Sequence, residues 1–417
     1  MNHDVDVLVI GGGPAGATTS ALLAEKGWDV LVLEKEQFPR YHVGESLMPF
    51  CYFTLEQLGV IDWLKNSACP KKHSVQFVTE DGKLSKPFYF FQHLDHEAST
   101  TWQVKRDEFD AMMLDNAEKK GAQVKYGVRA EKLLKVGGKV VGAVARNGGD
   151  PFEVKAKMVI DASGRDVFSM SRSGWRVKDP VLNKIAIWTY YQGAKRDEGL
   201  DEGATTVAYL PERGWFWYIP LQNNRVSVGI VAEKDYLYRD GKDPANIFAR
   251  EIENNAWIKD HLAQGTCENE YWATGDYSYR SQYCATDGLL LVGDAYAFLD
   301  PVFSSGVFLA LSSGALGAKA VDKALKSGNV EATQFMEYGE RMCHGIESMR
   351  RLVYAFYDPN FSFATLLKEQ PELRGDLTDC LIGDLFERDF SHLFQTIGRM
   401  ANTPEPLKHG RAYLNAA

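Results

Sequence analysis

The start of the chain constrains its fold most. Val5 to Ile10 is an apolar run interrupted only by Asp6, the form of a strand buried on both faces. Gly11-Gly12-Gly13-Pro14-Ala15-Gly16 follows at once, and the spacing predicts a helix over 17–26 closed by Gly27. Val30 to Leu33 is a second apolar strand, ending at Glu34. Strand, glycine turn, helix and strand make a βαβ unit, which requires a parallel sheet. Each glycine has a task in such a unit. Gly11 makes the tight turn, Gly13 lets a pyrophosphate approach the backbone, and Gly16 lets helix lie close on strand. The helix N-terminus adds free amides and a positive dipole end for the phosphates. Glu34 stands where a carboxylate takes ribose hydroxyls, which favours FAD or NAD over a 2′-phosphorylated nucleotide.

Further along, the pattern predicts a helix over 107–121 and a short strand over 124–126. Val140 to Arg146 alternates and suggests a hairpin arm with Val154 to Lys157. Met158 to Ile160 then leads into Asp161-Ala162-Ser163-Gly164-Arg165. Residues 184–234 carry four alternating apolar runs: Ile185 to Tyr191, Thr206 to Leu210, Trp215 to Ile219 and Val226 to Val231. These predict a mixed or antiparallel sheet in a separate layer. Leu289 to Val292 returns to a buried parallel strand ending at Gly293-Asp294, and 306–326 reads as a long apolar helix. From Val330 onward the spacing is helical, with breaks at Pro359, Pro371 and Pro404. The expected fold class is α/β. A discontinuous Rossmann-like dinucleotide domain (1–70, 105–183 and 275–328) carries an inserted mixed β-sheet substrate domain (71–104 and 184–274). A C-terminal helical region (329–417) follows.

Composition narrows the functions. The chain has 417 residues, 45% apolar and 25% charged, enough for two or three units sharing a core. A net charge of −9 argues against a general nucleic-acid binder. No basic stretch precedes an apolar one at the N-terminus, so no secretory signal is expected. The apolar run from Leu289 to Ala318 contains Asp294, Asp300 and Pro301, which argues against a membrane span. Six cysteines without CxxC spacing read as reduced thiols of a cytoplasmic protein. His93 and His96 lie among acidic and loop residues and give no metal expectation.

Within the predicted sheet lies Trp215-Phe216-Trp217-Tyr218-Ile219-Pro220. On a strand, residues i and i+2 share a face, so the two indoles would form one rigid wall. Pro220 lacks an amide donor and should stop regular pairing. Taken alone, the run also reads as a core strand with oversized aromatics. Together, the motifs resemble the FAD-containing family typified by aromatic hydroxylases and, within it, the flavin-dependent halogenases. The resemblance covers nearly the whole sequence to about residue 330. Gly11, Gly13 and Gly16 match the dinucleotide turn, and Asp161 to Arg165 resembles the D-x-S-G-R segment that the family carries near its middle. Gly293-Asp294 followed by Asp300-Pro301 resembles the late GD motif, whose Asp binds the ribityl side. Arg106, opening a helix with Asp110, stands where the family places an Arg near the flavin. The run Phe38 to Leu47, including Arg40 and Ser46, is similar to the loop over the isoalloxazine edge.

The halogenase resemblance is narrower. Trp215, Trp217, Ile219 and Pro220 match W-x-W-x-I-P residue for residue. Lys72 and the His73-Ser74-Val75-Gln76-Phe77 that follows are similar to K-x-G-A-x-F, with Ser74 and Val75 replacing its Gly and Ala. That departure keeps Lys71 in contention. Asp300 to Val307 resembles the halide loop; the Ser305 and Gly306 amides would hold the anion, and Gly306 would also sit against the cofactor. The resemblance implies an enzyme using FAD as FADH2, oxygen, and chloride or bromide. A hydroxylase passes activated oxygen directly to substrate, whereas in a halogenase a halide intercepts it and gives hypohalous acid. Trp215 and Trp217 would part flavin from substrate. Lys72 beyond them would polarise the acid as an ammonium or carry the halogen as an amine. Lys72 also fits a solvated turn, Pro-Lys-Lys-His.

Phe303 stands where tryptophan halogenases carry a Glu, which points to a phenol or pyrrole, free or on an acyl or peptidyl carrier protein. Gly137 to Gly142 lacks the context of a second dinucleotide turn, so a separate flavin reductase is expected as partner. Phe356, Tyr357, Phe361 and Phe363 should close the substrate side or simply pack helices. Alternatives on the same fold are an aromatic monooxygenase and a geranylgeranyl-type reductase. A flavin-binding protein without turnover would be a different class.

Overall fold

The computed structural model describes residues 4–275, 278–405 and 410–414; the ends of the expected units at 1–3 and 415–417 lie outside them. Val5–Ile10 lies inside a nine-stranded sheet, flanked in parallel by Val30–Glu34 and Phe152–Asp161. Leu289–Leu291 and Gln123–Tyr126 extend it in parallel on the two sides. Strands with one direction end at one edge, so Gly11, Glu34, Ala162 and Asp294 gather there. The helix Pro14–Ala24 begins three residues earlier than the spacing predicts. Pro14 at its first turn has a preset φ and no amide to waste. The segments read as a hairpin arm and a separate lead-in strand are one strand, Phe152–Asp161. Its first half pairs antiparallel with Lys139–Arg146 and its second half joins the parallel sheet.

The second sheet has eight strands. Lys184–Gln192, Arg225–Glu233, Trp215–Pro220 and Thr205–Tyr209 are successive antiparallel neighbours, close to the predicted runs. Ser74–Val78 joins in parallel to Thr205–Tyr209, while Lys71–Lys72 pairs with Thr101–Trp102 in a small ribbon of its own. Pro220 does not stop the pairing. It stands opposite Val226, and the next residue, Leu221, donates to Arg225 O at 2.7 Å. Alternation turns the missing amide of Pro220 away from that neighbour, so nothing is lost. Phe216 and Tyr218 face a core roofed by helices Pro244–Ile252 and Ala256–Leu262, which the sequence reading did not identify. Trp215, Trp217 and Ile219 face the main core.

The long helix Ser305–Ser327 packs on Pro14–Ala24. The tail folds back over both layers as helices Met336–Tyr357, Phe363–Glu369, Arg374–Ile382 and Ser391–Met400. It is not wholly helical. Arg411–Ala412 returns as an edge strand beside Tyr283–Thr286. Among the described residues no helix is long and apolar enough to cross a membrane.

Candidate active site

A cavity of about 630 Å³ lies between the strand ends of the parallel sheet and the indole face of the second. Its floor depends on glycine. A Cβ on Gly11, at φ 104, would meet Ala162 O at 2.4 Å, and one on Gly16 would meet Gly11 O at 2.0 Å. Backbone cannot yield as a flexible side chain can, so only glycine lets helix descend on strand here. Above Gly13 the nearest atom to such a Cβ is Arg40 Nη2, 3.5 Å away. The Arg40 guanidinium lies against the Phe38 ring and 3.2 Å from Asp110, and its buried Nη1 makes no hydrogen bond. An open glycine turn beneath a half-buried guanidinium whose Nη1 has no hydrogen bond fits a pyrophosphate. Glu34 accepts from Gly12 N–H (2.7 Å) and Glu36 N–H (2.8 Å) at the cavity margin.

Of the expected cofactor contacts, Gly11, Gly13, Glu34, Arg40, Ser46, Arg106, Asp294 and Gly306 line the cavity. Gly16, Asp161 and Gly293 do not; they set the backbone beneath it. Asp161 accepts from Ser163 and Ser169 amides at 3.0 and 2.7 Å, shaping the turn whose Ala162 to Arg165 form the wall. Gly293 donates to Ser313 Oγ at 2.8 Å and sits so close to Ala15 that a Cβ would lie 2.8 Å from it. Arg106 grips Asp110 with two bonds of 2.8 and 3.0 Å and holds the Val43 and Gly44 carbonyls at 2.9 and 3.2 Å. It therefore fixes the loop over the cavity. Burial pushes the Asp294 carboxyl up to about 6, against the pull of Arg165 and Arg106. These groups suit the phosphates and the polyol of FAD.

At the far end Trp215 and Trp217 face the cavity, their rings 6.2 Å apart between centroids. Trp217 Nε1 donates to Ser227 Oγ (3.0 Å), and its ring lies over Gly229 on the neighbouring strand. A Cβ on Gly229 would sit 2.1 Å from that ring. Trp215 Nε1 donates to Tyr357 OH (2.7 Å), which donates to Asp300 (2.8 Å). Asp300 also accepts from Val302 N–H (3.1 Å), and burial raises its carboxyl to about 6. One series of hydrogen bonds thus joins the indole wall, the tail and the 300–307 loop. In that loop Ser304 adopts φ 58 and turns the backbone into the helix Ser305–Ser327, whose first turn has no side-chain cap. Such a helix start leaves amides unpaired. Ser304, Gly306 and Val307 line the cavity; Ser305 is buried beside them and does not.

The two lysines part company. Lys71 is exposed, whereas Lys72 is 2% exposed. Lys72 Nζ donates to Ser46 Oγ (2.8 Å) and Leu47 O (3.2 Å), with the Phe90 ring 5.6 Å away. Ser46 in turn bonds Thr205 Oγ1 at 2.8 Å, and both residues line the cavity. Lys72 therefore sits one hydroxyl behind the cavity surface. Burial lowers its pKa to about 7. On the tail, Phe356 packs against Trp215, Tyr209 and Phe303, and Phe303 meets Phe363 edge-on. The tail aromatics pack helices and close the indole wall at once.

Sequence reasoning missed Glu45. It lines the cavity, accepts from Tyr190 OH at 2.6 Å, and its carboxyl is pushed up by burial. It stands in the Phe38 to Leu47 run, but its partner lies on another sheet.

The comparisons agree with this fold. The profile of the family described as "Tryptophan halogenase" matches residues 6–97 and 79–365. The 1H-pyrrole-2-carbonyl-[peptidyl-carrier protein] chlorinase of Pseudomonas fluorescens is 31% identical, over 98% of this chain and 96% of that one. The corresponding brominase of Pseudoalteromonas luteoviolacea is 33% identical over 92% of each. Among solved structures, the flavin-dependent brominase Bmp2 superposes with a TM-score of 0.87 at 29% identity, covering 95% of this chain and 98% of its own. The chondrochloren halogenase CndH gives 0.81 at 30%, covering 99% and 100%. The chain belongs to the tryptophan-halogenase family of flavin-dependent halogenases.

Proposed function

We propose that this enzyme halogenates a pyrrole ring carried as a thioester on a peptidyl carrier protein, with chloride or bromide as halogen source and a separate reductase supplying FADH2. The observation that carries the choice of ring is the end-to-end match to the two pyrrole-carrier halogenases. Phe303 in an aromatic cluster, in place of a carboxylate, supports an electron-rich ring that needs little activation.

Reduced flavin with oxygen and halide supplies hypohalous acid; the protein's residues direct it. Arg40 and the glycine turn hold phosphates, and Asp294 the polyol. The uncapped helix start offers the halide an amide at Gly306, which lines the cavity as Ser305 does not. Trp215 and Trp217, pinned by Tyr357 and Ser227, keep the substrate ring off the flavin. Lys72 receives the acid beyond them. An ammonium has three donors, two of which are engaged by Ser46 and Leu47. Because it stands behind Ser46, the ammonium polarises the acid's halogen toward the ring through the Ser46 hydroxyl that lines the cavity.

The test is a matched assay with reduced FAD, oxygen and bromide. Pyrrole-2-carboxylate loaded on a peptidyl carrier protein should be brominated, and the free acid should not. Equal use of the free acid or of a simple phenol would overturn the carrier-bound pyrrole. Equal oxygenation with and without halide would overturn the halide-directed chemistry.

A further inference from the structure

The indole wall does not end at the cavity. Trp217 is in register with Gly229, Gly229 with Trp188, and Trp188 with Trp272, on four adjacent strands. Residues in one such row share a face. Because Gly229 has no side chain, Trp217 and Trp188 meet across it, with centroids 6.2 Å apart. Trp188 and Trp272 follow at 6.3 Å, nearly parallel. Tyr41 then stacks on Trp272 at 4.7 Å, and Tyr41 is 44% exposed. A line of touching rings therefore runs from Trp217 to Tyr41, which lines the cavity where it opens to the surface.

The end of the line is also wired for a proton. Trp188 Nε1 donates to Tyr41 OH (2.5 Å), and Tyr190 OH donates to Glu45 Oε1 (2.6 Å). With its own hydrogen given to Glu45, Tyr190 is left to accept from Tyr41 at 3.0 Å. The Arg225 guanidinium lies 3.7 Å over the Tyr190 ring. A cation there makes Tyr190 harder to oxidise, so Tyr41 is the better electron donor.

We propose that Trp217, Trp188, Trp272 and Tyr41 form a relay that carries one-electron oxidising equivalents from the cavity wall to the surface. This rests on the reading of the cavity as a place where oxygen is activated. A hydroxyl radical released where oxygen is activated takes one electron from Trp217 and becomes hydroxide. Electrons then step inward from Trp188, Trp272 and Tyr41 in turn. Tyr41 passes its phenolic proton to Tyr190 while Tyr190 passes its own to Glu45. A thiol at the surface restores Tyr41 with one electron and one proton, leaving a thiyl radical, and the proton on Glu45 leaves through the cavity. Tunnelling falls steeply with distance, so contact between rings, rather than packing alone, is what the relay requires.

Pulse radiolysis of the full-length protein tests this, with azide radical as the oxidant: it takes one electron from an indole and becomes azide. The tryptophan-radical absorbance should decay by a first-order process, independent of protein concentration, as tyrosyl absorbance rises. Tyr41→Phe keeps the stack and should remove much of that rise. Trp188→Phe, which loses the contact to both Trp272 and Tyr41, should slow it. Equal rates and yields in wild type and Trp188→Phe would overturn the relay. The experiment needs neither halide nor substrate, so failure of the halogenation assay leaves it standing, and its own failure leaves that assay untouched.

Discussion

Lys72 is the residue on which the proposed chemistry turns, and its burial has a measurable signature. Its pKa falls from 10.5 to about 7 because the ammonium is desolvated. Between those values the unfolded protein binds more protons than the folded one, so stability rises with pH across that window. Below the folded pKa the full cost of burying the charge is present. Replacing Lys72 with Met should therefore stabilise the fold most below about pH 7, with the gain fading toward pH 10.5. Urea melts across that range would show it, and a gain that does not change with pH would contradict the burial. The same ionisation predicts that halogenation falls as pH rises through about 7, because the donor to the acid is lost. A halogenation rate that holds steady above that pH would favour the amine as the reacting form.

The strand Trp215–Pro220 works through what holds its indoles. Trp215 is oriented by Tyr357 from the tail helix Met336–Tyr357, and Tyr357 is held by Asp300. Tyr357→Phe keeps the ring but leaves the Trp215 N–H and an Asp300 oxygen without that partner. Each unpaired buried group costs about 1–3 kcal/mol, so denaturant melts should show a loss in that range or above. A change below about 0.5 kcal/mol would mean that this series of bonds carries little. The local signals in this region were legible: the two Trp at i and i+2, the glycine turn and the helix after Ser304 each depend on near neighbours. The bonds between them were not. Tyr357 to Trp215, Tyr190 to Glu45, and the indole row across Gly229 depend on register between distant segments, which no local pattern encodes. Pro220 was misread for the same reason, since the direction its amide would face depends on the paired strand.

At the scale of the molecule, the tail locks the two sheets together. Asp179, on the stretch leading into the second sheet, accepts from Arg350 Nε (3.0 Å) and Tyr354 OH (2.6 Å) of the tail helix. Both members of the Asp179–Arg350 pair are nearly fully buried. Arg350→Met would leave the buried carboxylate without its cation, and removing one partner of a buried pair costs about 3–5 kcal/mol. A fall of that size in unfolding free energy is expected, and a shift below about 1 kcal/mol would place the lock elsewhere. The parallel sheet and the second layer were readable from hydrophobic period alone, but the closing edge strand Arg411–Ala412 was not, being two residues long. The proposed halogenation gives Lys72 the task of directing the electrophile to the ring. The direct measurement is Lys72→Ala beside wild type, given reduced FAD, oxygen, bromide and the carrier-bound pyrrole, with flavin reoxidation and brominated product followed together. Unchanged reoxidation and no brominated pyrrole are predicted. Brominated product at the wild-type rate would contradict the role of Lys72 beyond the wall.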